Sequence, residues 1–395
     1  MHLSNLTRKG AVLGRGYVVR PESSSVVVVG GANMDIKARS HAAAVLHTSN
    51  PGTAVTSPGG VGRNIAENLA RLGTPVQLVA PVGTDRFGDE LVVHARACGI
   101  GVDHLVQGRL PTGTYLAVLD RGGDLLVAVS NMAATEQLAV ADLTGVHDLV
   151  AHSDLLVLDG NLPVAPLGWL LDVAAAASVP VVLEPVSVAK AARLAPVLAP
   201  DRPVLAVTPN VDELEALVGA PVHRSAPALA RAARSLHDVG VRHVWVRRGS
   251  RGSLLSTRAD DGRTSTTAVA APHAEVVDVT GAGDAMTAAF VHALLRGDAP
   301  PTPRASARWP PASPSPAARR CGPTSPPDSS TPPCATSGRP DDQPCPRRTR
   351  RPAGDRPLGG GRRGAGRGRA GRRARVHDHQ PRHPLPPQRR DGPRG

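Results

Sequence analysis

The sequence predicts an α/β protein in which a largely parallel sheet is covered by helices on both faces. Three observations carry this prediction. Short apolar runs bounded by turn residues recur from residue 25 onward, alanine- and leucine-rich stretches with helical spacing lie between them, and glycine-rich turns lead into two of the helices. Apolar strands that alternate with helices are typical of parallel sheets whose faces are both buried.

The first elements are a strand, a glycine turn and an amphipathic helix. Residues 23–36 predict a buried strand that ends in a Gly-Gly turn, with Asn33 and Asp35 just beyond it. Residues 57–73 predict a second glycine turn followed by a helix that Gly73 ends.

The remaining elements follow in alternation. A strand is predicted over 75–83 and a helix over 85–99, and the apolar segments 114–120 and 124–130, split by Arg-Gly-Gly, predict a β-hairpin. The later strands, separated by alanine-rich helices, are predicted over 154–160, 180–186, 203–210, 243–249 and 252–257. A last glycine turn and helix occupy 278–296.

Polar residues stand at the carboxyl ends of these strands. Ligands of open α/β folds bind at that edge of the sheet. We therefore expect one site to gather Asp35, Asp159, Glu184, Asn210 and the turn at 280–284.

The last glycine turn, Thr-Gly-Ala-Gly-Asp ending at Asp284, favours an anion site. Its small residues let the backbone approach a ligand, and the first N–H groups of the helix point at whatever is bound. Asp284 could accept a proton from an attacking hydroxyl while the amides of 281–283 stabilise a transferring phosphoryl group. The alternative is an ordinary helix cap, because Asp is favoured at the N-cap.

Three segments resemble the sequence signatures of the ribokinase-like (PfkB) sugar and nucleoside kinases. They are 58–73, 208–217 and 278–290, and they occur in the family's order. The resemblance implies a three-layer α/β/α sandwich with a small β lid. It also implies phosphoryl transfer from ATP to a hydroxyl of a small-molecule nucleoside or sugar, with Mg²⁺ and a monovalent cation, K⁺, as cofactors.

Carried over by position, the resemblance implies that Asp284 is the catalytic base. The implied anion hole is Gly281, Ala282 and Gly283. Asn210 and Glu213 would organise the water shell of Mg²⁺ and the phosphates, with Glu213 acting on the metal through water. A solvated helix face is the alternative for Glu213, and it is the interpretation kept for Glu215.

The resemblance also implies an acceptor site and a nucleotide site. The acceptor residues would be Asn33, Asp35, Gly59, Gly60, Asn64 and Asn131. The nucleotide would lie near Gly249, Gly252 and Thr280, besides Asn210 and Glu213. For Asn131, a place in the turn of the predicted hairpin is the alternative. His41 and His47 could serve as ligands, with surface or helix-cap positions as the more common alternative.

Residues 30–70 resemble in particular the pseudouridine-kinase branch of this family. The similar features are the Asn33/Asp35 pair, Ser40-His41, the SNPG segment at 49–52 and the GGVGRNIA segment. They imply phosphorylation of the 5′-hydroxyl of pseudouridine by ATP, with another ribonucleoside or a sugar as the alternative acceptor. Glu184 stands where we expect Asp in that branch.

Composition divides the chain into three parts, with the kinase domain predicted over 24–299. Residues 1–23 resemble the end of a winged helix, with a basic linker as the alternative.

From Pro300 onward Pro, Arg, Gly and Ser dominate, which predicts a disordered tail. Most of the formal net charge of +13 lies there, and the alternative function is a nucleic-acid-binding regulator. Because aromatic residues are not interleaved with the arginines and no folded nucleic-acid-reading domain is recognised, we expect only nonspecific attraction to polyanions.

The tail over 300–395 uses residues with GC-rich codons, which suggests a change of reading frame near Pro300. Adjacent frames of the back-translated tail allow peptides that resemble the family's last helices and then the start of a pseudouridine-5′-phosphate glycosidase. We therefore expect a functional link to that enzyme and a kinase domain that lacks its C-terminal helices, with impaired activity.

Other features of the sequence concern location and partners. The cysteines show no zinc-finger spacing, and no signal peptide or membrane-length apolar run is found, so we expect a cytoplasmic protein without a membrane partner. The hairpin at 114–130 is predicted to serve as a lid or as the interface of a homodimer.

Overall fold

A computed structural model describes residues 11–12, 18–19, 25–271 and 281–297. Of the predicted segment 1–23 it gives only the antiparallel pair β1 (Ala11–Val12) and β2 (Val18–Val19). The predicted tail at 300–395 and Thr280 lie outside the described residues.

The main sheet has eight strands in the order β16-β15-β14-β13-β12-β11-β3-β6. Its strands are β3 (Val26–Val29), β6 (Val76–Val79), β11 (Leu155–Asp159), β12 (Val181–Glu184), β13 (Val204–Val207), β14 (Val241–Arg247), β15 (Ser253–Arg258) and β16 (Thr264–Val269). All neighbours from β6 to β14 pair in parallel, whereas β15 and β16 join antiparallel. The predicted parallel sheet is therefore confirmed. The edge strand β16 was not predicted, because its sequence TSTTAV carries no apolar run.

Helices cover both faces of this sheet. They are α1 (Val61–Arg71), α2 (Arg86–Ala97), α3 (Ala133–Glu136), α4 (Val140–Leu143), α5 (His147–Ala151), α6 (Val164–Ala177), α7 (Val188–Leu194), α8 (Val211–Val218), α9 (Ala226–Asp238) and α10 (Ala282–Leu295). Successive residues of a strand face opposite ways. Accordingly Val27 and Val29 of β3 belong to the buried cluster that includes α6, α8 and α9, whereas Val26 and Val28 belong to the cluster that includes α1, α2 and α10. These layers confirm the predicted α/β/α sandwich.

A second sheet of four strands, in the order β10-β9-β4-β5, forms the lid. Its strands are β4 (Asn33–Ser40), β5 (Gly52–Gly59), β9 (Gly113–Leu119) and β10 (Leu125–Asn131). β9 and β10 pair antiparallel, which confirms the predicted hairpin. A short parallel pair, β7 (Pro81–Gly83) and β8 (Val106–Gly108), completes the strands of the described residues.

Asn33 and Asp35 follow the Gly-Gly turn, as predicted. The first strand ends at Val29, and Asn33 and Asp35 begin the lid strand β4, an element that was not predicted. The physical reason is that the Gly-Gly turn lets the chain leave one sheet and enter another within three residues. No helix in the described part of the chain is long and apolar enough to cross a bilayer.

Candidate active site

Helix α10 begins at Ala282, and Gly281 is its N-cap residue with a φ of 75°. This left-handed conformation favours glycine, and no side chain caps the helix. Asp284 is the third residue of the helix, so the alternative that it is an ordinary N-cap is wrong. Because the first amides of a helix have no partner within it, the start of α10 offers N–H groups to an anion.

Asp284 is almost fully buried, at 8% exposure. Its Oδ2 accepts a hydrogen bond of 2.8 Å from Asn64 Nδ2. Burial raises the pKa of Asp284 to about 7; the Asn64 bond and Arg247 oppose this rise, and the charges of Glu184 and Asp159 add to it. A carboxylate with a pKa close to neutral pH is suited to accept a proton from a hydroxyl.

Asn64 lies in the first turn of α1, which packs against α10. The Asn64 Oδ1 accepts a hydrogen bond from Arg63, and Arg63 also pairs with the buried Glu67. With its oxygen bound to Arg63, the Asn64 amide presents its NH₂ group to Asp284. Asn64, which was predicted as an acceptor residue, is therefore brought to the predicted base, a contact that the sequence did not predict.

Gly60 fixes the start of α1. It is the N-cap residue with a φ of 96°, and a Cβ there would collide with the carbonyl oxygen of Gly31. Asp159 is fully buried at the end of β11. Its Oδ2 accepts hydrogen bonds from the N–H groups of Gly31 at 2.9 Å and Gly62 at 2.7 Å. Asp159 thus joins the Gly-Gly turn after β3 to the start of α1.

The acceptor end of the predicted site is formed by the lid strands β4 and β5. Asn33 Nδ2 donates to Asp35 Oδ1 at 2.7 Å, and burial raises the pKa of Asp35 while this bond lowers it. Gly59 of β5 pairs with Asn33, and a Cβ at Gly59 would stand 2.6 Å from Asp35 Oδ2. Arg63 donates to the Gly59 carbonyl at 3.1 Å, so it connects this end with Asn64.

Asn131 does not share this face of the lid. Asn131 of β10 pairs with Thr114 of β9, and Thr114 in turn pairs with Met34 of β4. Asp35 is the residue after Met34 on β4. Alternate residues of a strand point to opposite faces, so Asn131 lies on the face away from Asp35. Asn131 is the last residue of β10, so the alternative that it lies in the turn of the hairpin is wrong. His41 and His47 are exposed, as expected.

Asn210 and Glu213 form a capping box at the start of α8. Asn210 Oδ1 accepts from the Glu213 N–H at 2.9 Å, and Glu213 Oε2 accepts from the Asn210 N–H at 2.8 Å. Glu213 is 3% exposed, so the alternative of a solvated helix face is wrong for it. Glu215, for which that interpretation was kept, is half-buried and accepts the Val222 N–H at 2.7 Å.

Arg247, the last residue of β14, was not predicted as a site residue. Its Nη2 lies 2.6 Å from Glu184 Oε1 and 3.2 Å from Glu213 Oε2. Glu184, at the end of β12, is 2% exposed and also accepts hydrogen bonds from Thr208 and Thr287. The signal available was the position of Arg247 at the carboxyl end of a parallel strand, where polar residues gather.

The predicted nucleotide glycines lie between β14 and β15. Gly249 and Gly252 have φ values of 60° and 75°, and a Cβ at Gly252 would collide with the Val269 carbonyl. Gly249 has open space around it. Asn210 bridges to Arg247, so this turn follows the same edge of the sheet as α8.

A further group of metal-ligand types in the described residues is Glu67, His94 and Cys98. Glu67 is already paired with Arg63 and Arg71. Two guanidinium groups on the same carboxylate oppose the binding of a cation there.

Residues 23–302 match the family model "pfkB family carbohydrate kinase". The chain is 34% identical to "Uncharacterized sugar kinase YeiI" of Escherichia coli K12, over 75% of this chain and 79% of that protein. It is 33% identical to "Pseudouridine kinase" of the same organism, over 70% of this chain and 85% of that protein.

Among solved structures, Arabidopsis thaliana ribokinase complexed with ribose and ATP aligns with a TM-score of 0.59 at 25% identity. The alignment covers 72% of this chain and 89% of that one. Kinases of this family use ATP, in general with Mg²⁺, and act on small-molecule sugars or nucleosides. This chain belongs to the pfkB family of carbohydrate kinases and is a phosphotransferase with a hydroxyl group as acceptor.

Proposed function

We propose that this chain transfers the γ-phosphoryl group of ATP to the 5′-hydroxyl of pseudouridine. The observation that carries the kinase site is Asp284, buried in the first turn of α10 and hydrogen-bonded to Asn64. The choice of acceptor is supported by the 33% identity to a pseudouridine kinase and by the Asn33/Asp35 pair. The similarity to a sugar kinase is of the same size, so a sugar is the second candidate acceptor.

In the proposed reaction, Asp284 accepts the proton of the acceptor hydroxyl. The hydroxyl oxygen forms a bond to the γ-phosphorus while the bond from that phosphorus to the β,γ-bridging oxygen breaks, and ADP leaves with that electron pair. The backbone N–H groups of Gly281, Ala282 and Gly283 would stabilise the charge on the transferring group. Burial of Asp284 keeps its proton affinity high enough for this transfer.

Asp35 is the proposed anchor of the acceptor's hydroxyl groups. Its Oδ1 is bound to Asn33, which fixes the orientation of the carboxylate. The missing side chain of Gly59 leaves space beside Oδ2. A carboxylate can accept hydrogen bonds from two hydroxyls, which suits the vicinal diol of a ribosyl group.

Glu213 and Asn210 are the proposed residues for Mg²⁺, acting through water. The donor set fits, because both known contacts of the Glu213 carboxylate use Oε2 and leave Oε1 without a partner among the described residues. When bound, Mg²⁺ would neutralise charge on the phosphate groups. Gly249, Gly252 and Thr280 remain predicted nucleotide neighbours.

A change of reading frame near Pro300 remains part of the proposal. The family match ends at residue 302, close to this position. Resequencing the coding DNA for 290–395 tests it, since alternate-frame peptides similar to the family's last helices must be present. A downstream pseudouridine-5′-phosphate glycosidase, which would consume the product, is the proposed functional link.

The lid is the proposed interface of a homodimer. Apolar side chains of the lid are exposed, among them Leu125, Val127, Val129 and Val55. Light scattering coupled to size-exclusion chromatography tests this proposal, and a monomer at all concentrations contradicts it.

The function itself is tested with the purified chain, ATP and Mg²⁺ by measuring ADP release with pseudouridine, uridine, ribose and fructose. We expect pseudouridine to give the highest kcat/KM and Asp284→Asn to abolish the signal. If a sugar gave the highest activity, pseudouridine would be wrong as the acceptor, but the proposed kinase site would stand. Replacing K⁺ by tetramethylammonium in the same assay tests the predicted monovalent cation.

A further inference from the structure

We infer that Arg247 is a substrate-contacting residue, whose Nη1 binds the transferring phosphoryl group at the start of α10. The inference rests on the proposed kinase site and adds to it a positively charged side chain.

The backbone of Arg247 is fixed at the carboxyl end of β14. Its N–H donates to the Pro209 carbonyl at 2.8 Å, next to Asn210. The guanidinium group is then held by Glu184 at 2.6 Å and Glu213 at 3.2 Å. Carboxylates on two other segments therefore fix the side chain, which reduces the entropy lost when it binds a ligand.

Both anchors use the same nitrogen, Nη2. Within 25–271 and 281–297, Nη1 has no hydrogen-bond acceptor. This nitrogen lies over the first turn of α10, because a Cβ added at Gly283 would collide with it. Gly283 thus leaves the space that Nη1 occupies beside the N–H groups of the proposed anion hole.

An arginine that only neutralised the two glutamates would be expected to present a pair of N–H groups to a carboxylate. Arg247 instead uses one end for both glutamates and keeps the other at the anion site. The planar fork of guanidinium can bridge a carboxylate and a phosphate, which a lysine with a single nitrogen cannot do in the same way.

The local charges also favour this role. Glu184, Glu213 and Asp284 are buried carboxylates around Arg247. Burial lowers the pKa of Arg247, but the charges of Glu184 and Glu213 outweigh it, so the pKa is raised. Without a cation, these carboxylates would repel the γ-phosphate as it approaches Asp284. The arginine supplies a fixed positive charge at the place where negative charge develops during transfer.

The test is Arg247→Lys, with Arg242→Lys as the matched control on the same strand. Arg242 pairs with Asp260 and lies at the other end of β14. Titration calorimetry with Mg²⁺ compares ADP with an ATP analogue that has a methylene group between the β- and γ-phosphorus atoms. We expect Arg247→Lys to lose about tenfold in affinity for the analogue and less than about twofold for ADP.

Activity gives a second readout. We expect kcat of Arg247→Lys to fall by about 10²- to 10³-fold, as for the loss of one donor to a developing charge, with the KM of the acceptor unchanged. If Arg247→Lys lost equal affinity for ADP and for the ATP analogue, or lost affinity for neither, the inference would be overturned and Arg247 would have a purely structural role. If Arg247→Lys does not fold, the double variant Glu184→Gln/Arg247→Met removes the buried charge pair together and is tested by the same comparison.

The wild type separates this inference from the proposed function. If it binds the analogue and phosphorylates an acceptor while Arg247→Lys matches it, only the inference fails. If it binds neither nucleotide, the kinase site is refuted and the inference with it.

Discussion

Replacing the proposed base by its amide, Asp284→Asn, should abolish activity and at the same time stabilise the fold at alkaline pH. The pKa of Asp284 is raised to about 7 by burial, from an ordinary 3.8. Its ionisation therefore costs more free energy in the folded protein than in the unfolded chain. Asparagine has a similar shape and no charge, so it removes this cost.

The size and sign of the effect follow from the two pKa values. Well below pH 3.8, Asp284 is protonated in both the folded and the unfolded protein, and the cost of its ionisation vanishes. As the pH rises through about 7, this cost reaches its full value of about 4 kcal/mol, at about 1.4 kcal/mol per pKa unit. At pH 5 the cost is only about 2 kcal/mol, because Asp284 has ionised in the unfolded chain but not in the folded protein. The free energy of unfolding of the variant should therefore rise by about 2–3 kcal/mol relative to that of the wild type between pH 5 and pH 8.

Urea unfolding at both pH values measures this gain, because other titrating groups are the same in the two proteins. The exposed Asp103→Asn is the matched control, since it removes the same charge at the surface and should show no comparable change. In parallel, kcat of Asp284→Asn should fall by about 10²- to 10⁴-fold, the usual contribution of a general base.

Two results would refute this reasoning. A stability difference between Asp284→Asn and the wild type that does not change between pH 5 and pH 8 would mean that Asp284 is not buried as an unfavourable charge. Retained activity of the variant would mean that another group accepts the proton.

Three further predictions concern the neighbours of this residue. The pH profile of kcat/KM should rise to a plateau with an apparent pKa of about 7, and Asn64→Ala should move this limb to higher pH, because the Asn64 hydrogen bond lowers the pKa of Asp284. Gly60→Ala should lower the free energy of unfolding by about 1–3 kcal/mol or more, since φ is 96° and the Cβ meets the Gly31 carbonyl. Asp35→Ala should raise the KM of the acceptor at least about tenfold, as expected when a charged hydrogen-bond partner is removed, and leave the KM of ATP within about twofold.

Each of these has its own check. If the acid limb of the kcat/KM profile lies at the same pH in Asn64→Ala as in the wild type, the Asn64 amide does not lower the pKa of Asp284. Gly73, which follows the C-terminal end of α1, has a similar φ of 81° but open space around it. Gly73→Ala therefore isolates the steric part of the Gly60 effect, and equal losses of stability in the two variants would exclude that part. A rise in the KM of ATP alone would show that Asp35 does not face the acceptor.

Much of the fold could be predicted because it depends on local rules. The alternation of β3, in which successive valines pack into different layers, and the glycine at 281 with its left-handed φ are both set within a few residues of sequence. The edge strand β16 and the entry of Asp35 into the lid could not be predicted, since they depend on which other strands are available for pairing.

By itself the sequence determined the parallel sheet, the hairpin, the glycine turn and the presence of Asp284 in it, because apolar periodicity and backbone restrictions act between near neighbours. The tertiary structure alone decided that Asp284 meets Asn64 across 220 positions and that Arg247 lies between Glu184, Glu213 and Gly283. It also put Asn131 on the far face of the lid. Burial and charge, which set the pKa of the proposed base, are properties of these distant contacts, and only folding brings them together.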